Sequence, residues 1–263
     1  MGIPFYLVDA FTDRPFSGNP AVVCPLPSWP DERWLKDVAA EMKQSETAFV
    51  VKQADGFQLR WFTPAVEVAL CGHATLASAH ALWQIGLAKP GHEIQFETKS
   101  GILKAAPRGG EIELDFPLKP EQPADPPPDL LPALGVSAKY VGKNQFDYLV
   151  EVESEAVLRQ MAPDFKRLAG VPVRGTIATS RSSDPRFDFL SRFFAPAVGI
   201  DEDPATGSAH CCLGDFWRKR LGKNELLAYQ ASPRGGVLRV RVVNDRAFLG
   251  GKAVTVATGE LRV

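Results

Sequence analysis

Two stretches of the chain follow one pattern: RWFTPAVEVALCGHATLASAHALW at residues 60–83 and RFFAPAVGIDEDPATGSAHCCLGDFW at residues 192–217. Arg60 aligns with Arg192, Phe62 with Phe194, and Pro64-Ala65-Val66 with Pro196-Ala197-Val198. Three additional residues enter the second copy, after which Cys71-Gly72-His73-Ala74 falls on Thr206-Gly207-Ser208-Ala209. Upstream, SETAFVV at 45–51 has a weaker counterpart in GTIATS at 175–180. Shared order and spacing over this length indicate an internal repeat, so the chain reads as two halves of one design.

The surrounding pattern agrees. Segments 116–135 hold seven of the 22 prolines. Proline removes a donor and disfavours helix in its neighbour, so this run reads as an extended connection between two folded units. The expected organisation is a first half over residues 1–118, a linker at 119–129 and a second half over 130–263, whose last strand may cross back to complete the first sheet. Strand-like runs fall at 4–8, 21–26, 46–51, 57–62, 94–98, 102–105 and 112–116, and again at 146–152, 173–179, 187–194, 226–231, 237–243, 247–249 and 253–256. Helices are expected at 31–42, 73–87, 155–161 and 208–221. The second helix of each half is apolar on nearly every face, which marks it as enclosed rather than half-exposed. The fold class is therefore α+β, with two pseudo-symmetric halves, each a mostly antiparallel sheet rolled around a buried central helix. Two such units side by side would bring their helix starts towards a shared cleft.

The bulk composition narrows the function classes. The 263 residues are 45% hydrophobic and 23% charged, with 30 Lys and Arg against 31 Asp and Glu. This balance gives no electrostatic case for nucleic acid or an anionic membrane as partner. No apolar run approaches the roughly 20 residues of a membrane helix. The opening MGIPFYLVDAF lacks a basic start and meets Asp9 early, so a cytoplasmic location without a signal segment is expected. Cys24, Cys71, Cys211 and Cys212 form no CxxC pair and suit neither a disulfide framework nor a zinc site. No metal is expected at Asp201 and Glu202, since no His or Cys stands at ligand spacing beside them.

The first N–H groups of a helix have no internal acceptor and lie at the positive end of its dipole. Helix starts at Gly72-His73 and at Gly207-Ser208 can each hold a carboxylate, and glycine permits close approach. DEDPATGSAH at 201–210 has a second reading as an ordinary capped helix start, because Asp, Ser and Thr favour N-caps. The arginines at 60 and 192 fit either pairing between the halves or substrate contact.

GNPAVV at 18–23, SETAFV at 45–50, FTPAVEVALCGHATLA at 62–77 and DEDPATGSAH together resemble the phenazine-biosynthesis PhzF-like family, in the family's order and over most of the chain. The resemblance implies a diaminopimelate epimerase-like fold and an isomerase that needs no cofactor and acts on a small carboxylate molecule. It places Glu46 on the general acid/base, His73 and Asp203 on catalytic positions, and Gly72, Gly207 and Ser208 on the substrate. It also implies a homodimer. The chemistry is coherent, since one carboxylate partly withdrawn from water can take a proton from one carbon and return it to another. Cys71 matches the first thiol of two-thiol racemases of the related fold, but Thr206 stands at the second, and a threonine hydroxyl cannot serve as a thiolate base. A racemase is thereby disfavoured, leaving a catalytically silent anion binder as the alternative from another class.

Overall fold

In the computed structural model, which describes residues 2–262, the chain divides into two compact units: Met1–Phe116 with Gly250–Val263, and Pro117–Leu249. The first contains β1 (Ile3–Ala10), β2 (Asn19–Leu26), α1 (Glu32–Met42), β3 (Glu46–Gln53), β4 (Gly56–Phe62), β5 (Glu67–Val68), α2 (Gly72–Gln84), β6 (Ile94–Thr98), β7 (Gly101–Arg108) and β8 (Glu111–Pro117). The second contains β9 (Gln122–Pro123), α3 (Leu130–Leu134), β10 (Ala138–Lys143), β11 (Asp147–Val152), α4 (Glu155–Gln160), α5 (Phe165–Leu168), β12 (Gly175–Arg181), β13 (Phe189–Ala195), β14 (Ile200–Asp203), α6 (Gly207–Leu221), β15 (Glu225–Gln230), β16 (Gly236–Val243) and β17 (Arg246–Gly251). The chain then returns to the first unit through β18 (Ala253–Leu261), which pairs antiparallel with β1.

The internal strand orders correspond. In the first unit β1-β2-β3-β4-β6-β7 joins antiparallel, parallel, antiparallel, parallel and antiparallel. In the second, β10-β11-β12-β13-β15-β16 follows the same alternation. Each sheet is mostly antiparallel and wraps a central helix. Helix α2 packs on β1, β2, β3, β7 and β18, and His73 through Ala79 are buried without interruption. Helix α6 is buried from Ala209 through Trp217. It reaches β12 through the Trp217 Nε1–H bond to Thr179 Oγ1, and β16 at Gly214. A Cβ on Gly214 would lie 2.8 Å from Val240 Cγ1, so any larger residue would push the helix or Val240 outward.

The outer faces are covered by shorter helices. Leu35, Val38 and Ala39 of α1 pack with Val22, Cys24, Leu26, Phe49, Val51 and Phe62. The alternation along β2 and β3 leaves Ala21, Val23, Ala48 and Val50 for the α2 side. Helices α3, α4 and α5 cover the second sheet in the same way, around Val150, Ala178, Leu190 and Phe194. Residues 119–129 do not stand apart as a connection but belong to the second unit, where Gln122–Pro123 pairs with β10. The extended reading also fails at α3, because Pro132 is the helix's third residue, where an N–H would have no acceptor to lose. Burying Leu130, Ala133 and Leu134 then favours the turn.

Helix α2 ends at Gln84, three residues before the expected end, since Gly86 takes a left-handed φ of 74°. Thiols of Cys24, Cys211 and Cys212 are free, and burial pushes each up to about 12, which keeps them protonated. Among the described residues no helix is long and apolar enough to cross a membrane.

His210 lies wholly inside the second unit. Its Nδ1 bonds the Thr206 carbonyl at 2.8 Å, its Nε2 lies 3.4 Å from Ser191 Oγ, and its ring stacks on Phe189. Burial pushes its imidazole down to about 4, against the opposing effect of the Thr206 carbonyl. The unfolded chain, with an ordinary histidine, binds the extra proton first. Stability present above about pH 6.5 is therefore lost as pH falls towards 4, by up to about 3 kcal/mol. Urea unfolding should show a steeper loss for the wild type than for His210→Gln between pH 6.5 and 4.5; equal slopes would show that another group titrates.

Candidate functional site

Glu46 is the first residue of β3, in register with Ala21 of β2. Since Phe49 and Val51 face α1, period-two alternation turns Glu46 to the α2 side. Its side chain is 13% exposed. Helix α2 begins beside it, after Cys71 in extended conformation (φ −145°, ψ 112°), and Cys71 gives the helix no side-chain cap. The N-terminal amides thus lack a capping acceptor from their N-cap residue.

The His73 ring gathers four side chains. Asn19 Nδ2 lies 3.2 Å from Nδ1, and Cys71 Sγ 3.6 Å from the same nitrogen. On the other side, Nε2 lies 3.3 Å from Glu46 Oε2 and 3.4 Å from Ser45 Oγ. An asparagine amide nitrogen only donates, so Nδ1 accepts and the ring proton is carried on Nε2, facing the carboxylate. One candidate ligand atom from each of Glu46, Cys71 and His73 fits within 4.8 Å. Cys71 and Glu46 nevertheless stand against opposite ring nitrogens. The ring thus stands between a thiol and a carboxylate, both groups that can exchange a proton.

In the second unit the start of α6 is built differently. Thr206 is extended (φ −109°, ψ 101°) and does not cap the helix with its side chain. Its hydroxyl instead donates to Asp203 Oδ2. Gln230, fully buried on β15, clamps this turn: its Oε1 accepts the Thr206 N–H at 2.8 Å, while Nε2 donates to the Asp203 carbonyl at 2.6 Å and to Thr206 Oγ1 at 3.0 Å. Ser208 Oγ accepts from Arg174 Nη2 at 3.1 Å. The expected cap at residues 201–206 is thus an acid held by a threonine, within a short strand that pairs with β13. A strand forms there because Glu202 turns to Arg192, with Nε–Oε1 2.7 Å and Nη2–Oε2 2.8 Å.

Superimposing the two patterns residue by residue shows what was kept. Arg60 grips Glu67 at 2.8 and 2.7 Å and lies over Phe62. Arg192 does the same with Glu202 over Phe194. Each arginine therefore closes on an acid of its own half. Thr75 Oγ1 bonds the Cys71 carbonyl, as His210 bonds that of Thr206. The register Thr47–Phe62 matches Thr176–Phe194, which sets Gly175 opposite Glu46. A Cβ on Gly175 would meet Phe193 Cζ at 2.5 Å, so an acid there would have to displace that ring.

Glu46, Gly72 and His73 come together at the start of α2, and Asp203, Gly207 and Ser208 at the start of α6. Sequence reading gave no role to Asn19 and Ser45, although both sit in the motifs quoted above. Gln230 and Arg174 lie 27 and 34 residues from their partners Asp203 and Ser208, and no local signal points to them.

A model of the family described as phenazine biosynthesis-like protein, PhzC-PhzF, matches residues 8–259. The chain is 54% identical over 262 residues to an uncharacterized isomerase of Halalkalibacterium halodurans, with 99% of each chain aligned. It is 47% identical over 264 residues to an uncharacterized isomerase of Pseudomonas aeruginosa, with 100% of each aligned. The crystal structure of a PhzF-family phenazine biosynthesis protein from Enterococcus faecalis has a TM-score of 0.95 at 38% identity, covering 100% of both chains. The chain belongs to the phenazine biosynthesis-like, PhzC-PhzF family, and it is an isomerase.

Proposed function

We propose that the chain isomerises a small carboxylate-bearing molecule by moving a proton between two of its carbons, with Glu46 as the acid/base and no cofactor. The observation that carries this reading is the pairing of Glu46 with the Nε2 side of His73, 3.3 Å apart, at a helix start that Cys71 does not cap with its side chain. Glu46 as carboxylate takes a proton from one carbon, and the electron pair left behind spreads through the conjugated system towards the substrate's carboxylate. The amides of Gly72 and His73, at the positive end of α2, stabilise that charge as it develops. Glu46, now protonated, returns the proton at a second carbon, so proton and charge balance over the cycle. His73 stands beside the carboxylate, Nε2 3.3 Å from Oε2, and is itself held by Asn19. Asp203 and the Gly207-Ser208 helix start are assigned to substrate recognition, with Asp203 oriented by Thr206 and Gln230.

A racemase would need a second base in the other half. The hydroxyl of Thr206, at that position, already donates to Asp203 and accepts from Gln230. The second half offers no acid at Gly175 either. One carboxylate that both removes and returns the proton fits this asymmetry better than two opposed bases.

The test is deuterium uptake from D2O into a panel of small unsaturated carboxylates, read by mass spectrometry. Glu46→Gln should lower exchange by about 10²- to 10⁴-fold, the usual contribution of a positioned general base. Exchange that persists in Glu46→Gln and disappears in Cys71→Ala would move the proton to the thiol and end the proposal. Binding of panel members without exchange in the wild type would instead favour a silent anion binder. His73→Asn should reduce turnover with little change in substrate affinity, because the ring orients the base; unchanged turnover would remove His73 from the mechanism.

A further inference from the structure

We propose that Arg174 is the specificity-determining residue of the second unit, selecting a substrate carboxylate over its neutral amide at the Ser208 end of α6. This rests on the reading of Ser208 as a substrate-binding residue. Arg174 immediately precedes β12, the position that Ser45 holds before β3 in the repeat. There Ser45 reaches the second residue of α2, His73, and here Arg174 reaches the second residue of α6, Ser208.

The guanidinium is fixed in place. Its Nε bonds Asp147 Oδ1 at 2.9 Å and its Nη2 bonds Asp147 Oδ2, while the Asp147 side chain is 1% exposed. The rings of Phe146 and Phe193 have centroids 5.2 and 5.6 Å from the guanidinium carbon. A planar fork has one edge made by Nε with Nη2 and another made by Nη1 with Nη2. Asp147 occupies the first. The remaining Nη2 hydrogen goes to Ser208 Oγ at 3.1 Å, which turns the second edge towards the start of α6. Among the described residues Nη1 has no hydrogen-bond partner, and the side chain is 36% exposed.

The Nη1 donor is thereby presented beside first-turn amides that have no internal acceptor, and the two kinds of donor together face one ligand. The ion pair with Asp147 cancels the formal charge and sets the direction of the donors, so selectivity comes from oriented charge-assisted hydrogen bonds. A carboxylate supplies acceptors on both oxygens. A primary amide supplies one acceptor and turns donors towards Nη1.

The experiment titrates the full-length protein with anthranilate and, separately, with 2-aminobenzamide by calorimetry. Wild type should prefer the acid, and Arg174→Gln should weaken anthranilate by about tenfold while leaving the amide unchanged, a loss in the range of a charge-assisted hydrogen bond. Because that change leaves Asp147 buried without its partner, the double variant Asp147→Asn/Arg174→Gln, checked by thermal unfolding, should show the same loss. Anthranilate affinity equal to wild type in both variants, or a wild type that binds neither probe or does not distinguish them, overturns the proposal. Ser208→Pro, which removes an amide donor at a first-turn position that tolerates proline, separates the two levels. Loss in Ser208→Pro without loss in the arginine variants defeats only the role of Arg174, and loss in neither defeats the underlying reading as well.

Discussion

A helix enclosed on every side keeps its unsatisfied polar groups only at its ends. Helices α2 and α6 are Ala- and Leu-rich or aromatic around their circumference, and a sheet must wrap each of them to remove that surface from water. What remains at each helix start is a set of amide donors with a positive dipole end, which Cys71 and Thr206 do not cap with their side chains. The placing of Glu46, His73, Asp203 and Ser208 follows from that one packing requirement. So does β18, which returns from the second unit to pair with β1 on the sheet around α2.

The two halves preserve the parts that hold the frame and differ in the parts that meet chemistry. Kept are the arginine-glutamate clamps over phenylalanine and the side-chain bond from the fourth residue of each helix region back to its N-cap carbonyl. Changed are three neighbouring positions. Glu46 becomes Gly175, with Phe193 filling the space; Ser45 becomes Arg174; His73 becomes Ser208. One half therefore carries a carboxylate against an imidazole, and the other a guanidinium against a hydroxyl.

The repeat, the buried helices and the motif residues were legible in the chain because they depend on local pattern: apolar periodicity, a glycine before each helix, and a conserved order of Arg, Phe and Pro-Ala-Val between the copies. The proline-rich run reads as a free connection, since proline's local preferences say nothing about Leu130 and Leu134 finding a core. The acids at 201–203 read partly as a cap, because a capping acid and one accepting from Thr206 look alike in sequence.

By itself the sequence determined the α+β class, the two-fold internal design, the absence of a second acid opposite Glu46 and the presence of a threonine where a second thiol would stand. These are properties of residue identity and short-range spacing. Only the tertiary structure decided that His73 lies between Asn19 and Glu46, that Gln230 clamps the Asp203-Thr206 turn, and that Arg174 turns an edge to Ser208. Those contacts join residues 24 to 54 positions apart through sheet register and helix placement. Long-range register is fixed by burial of whole faces, and no local run of side chains encodes it.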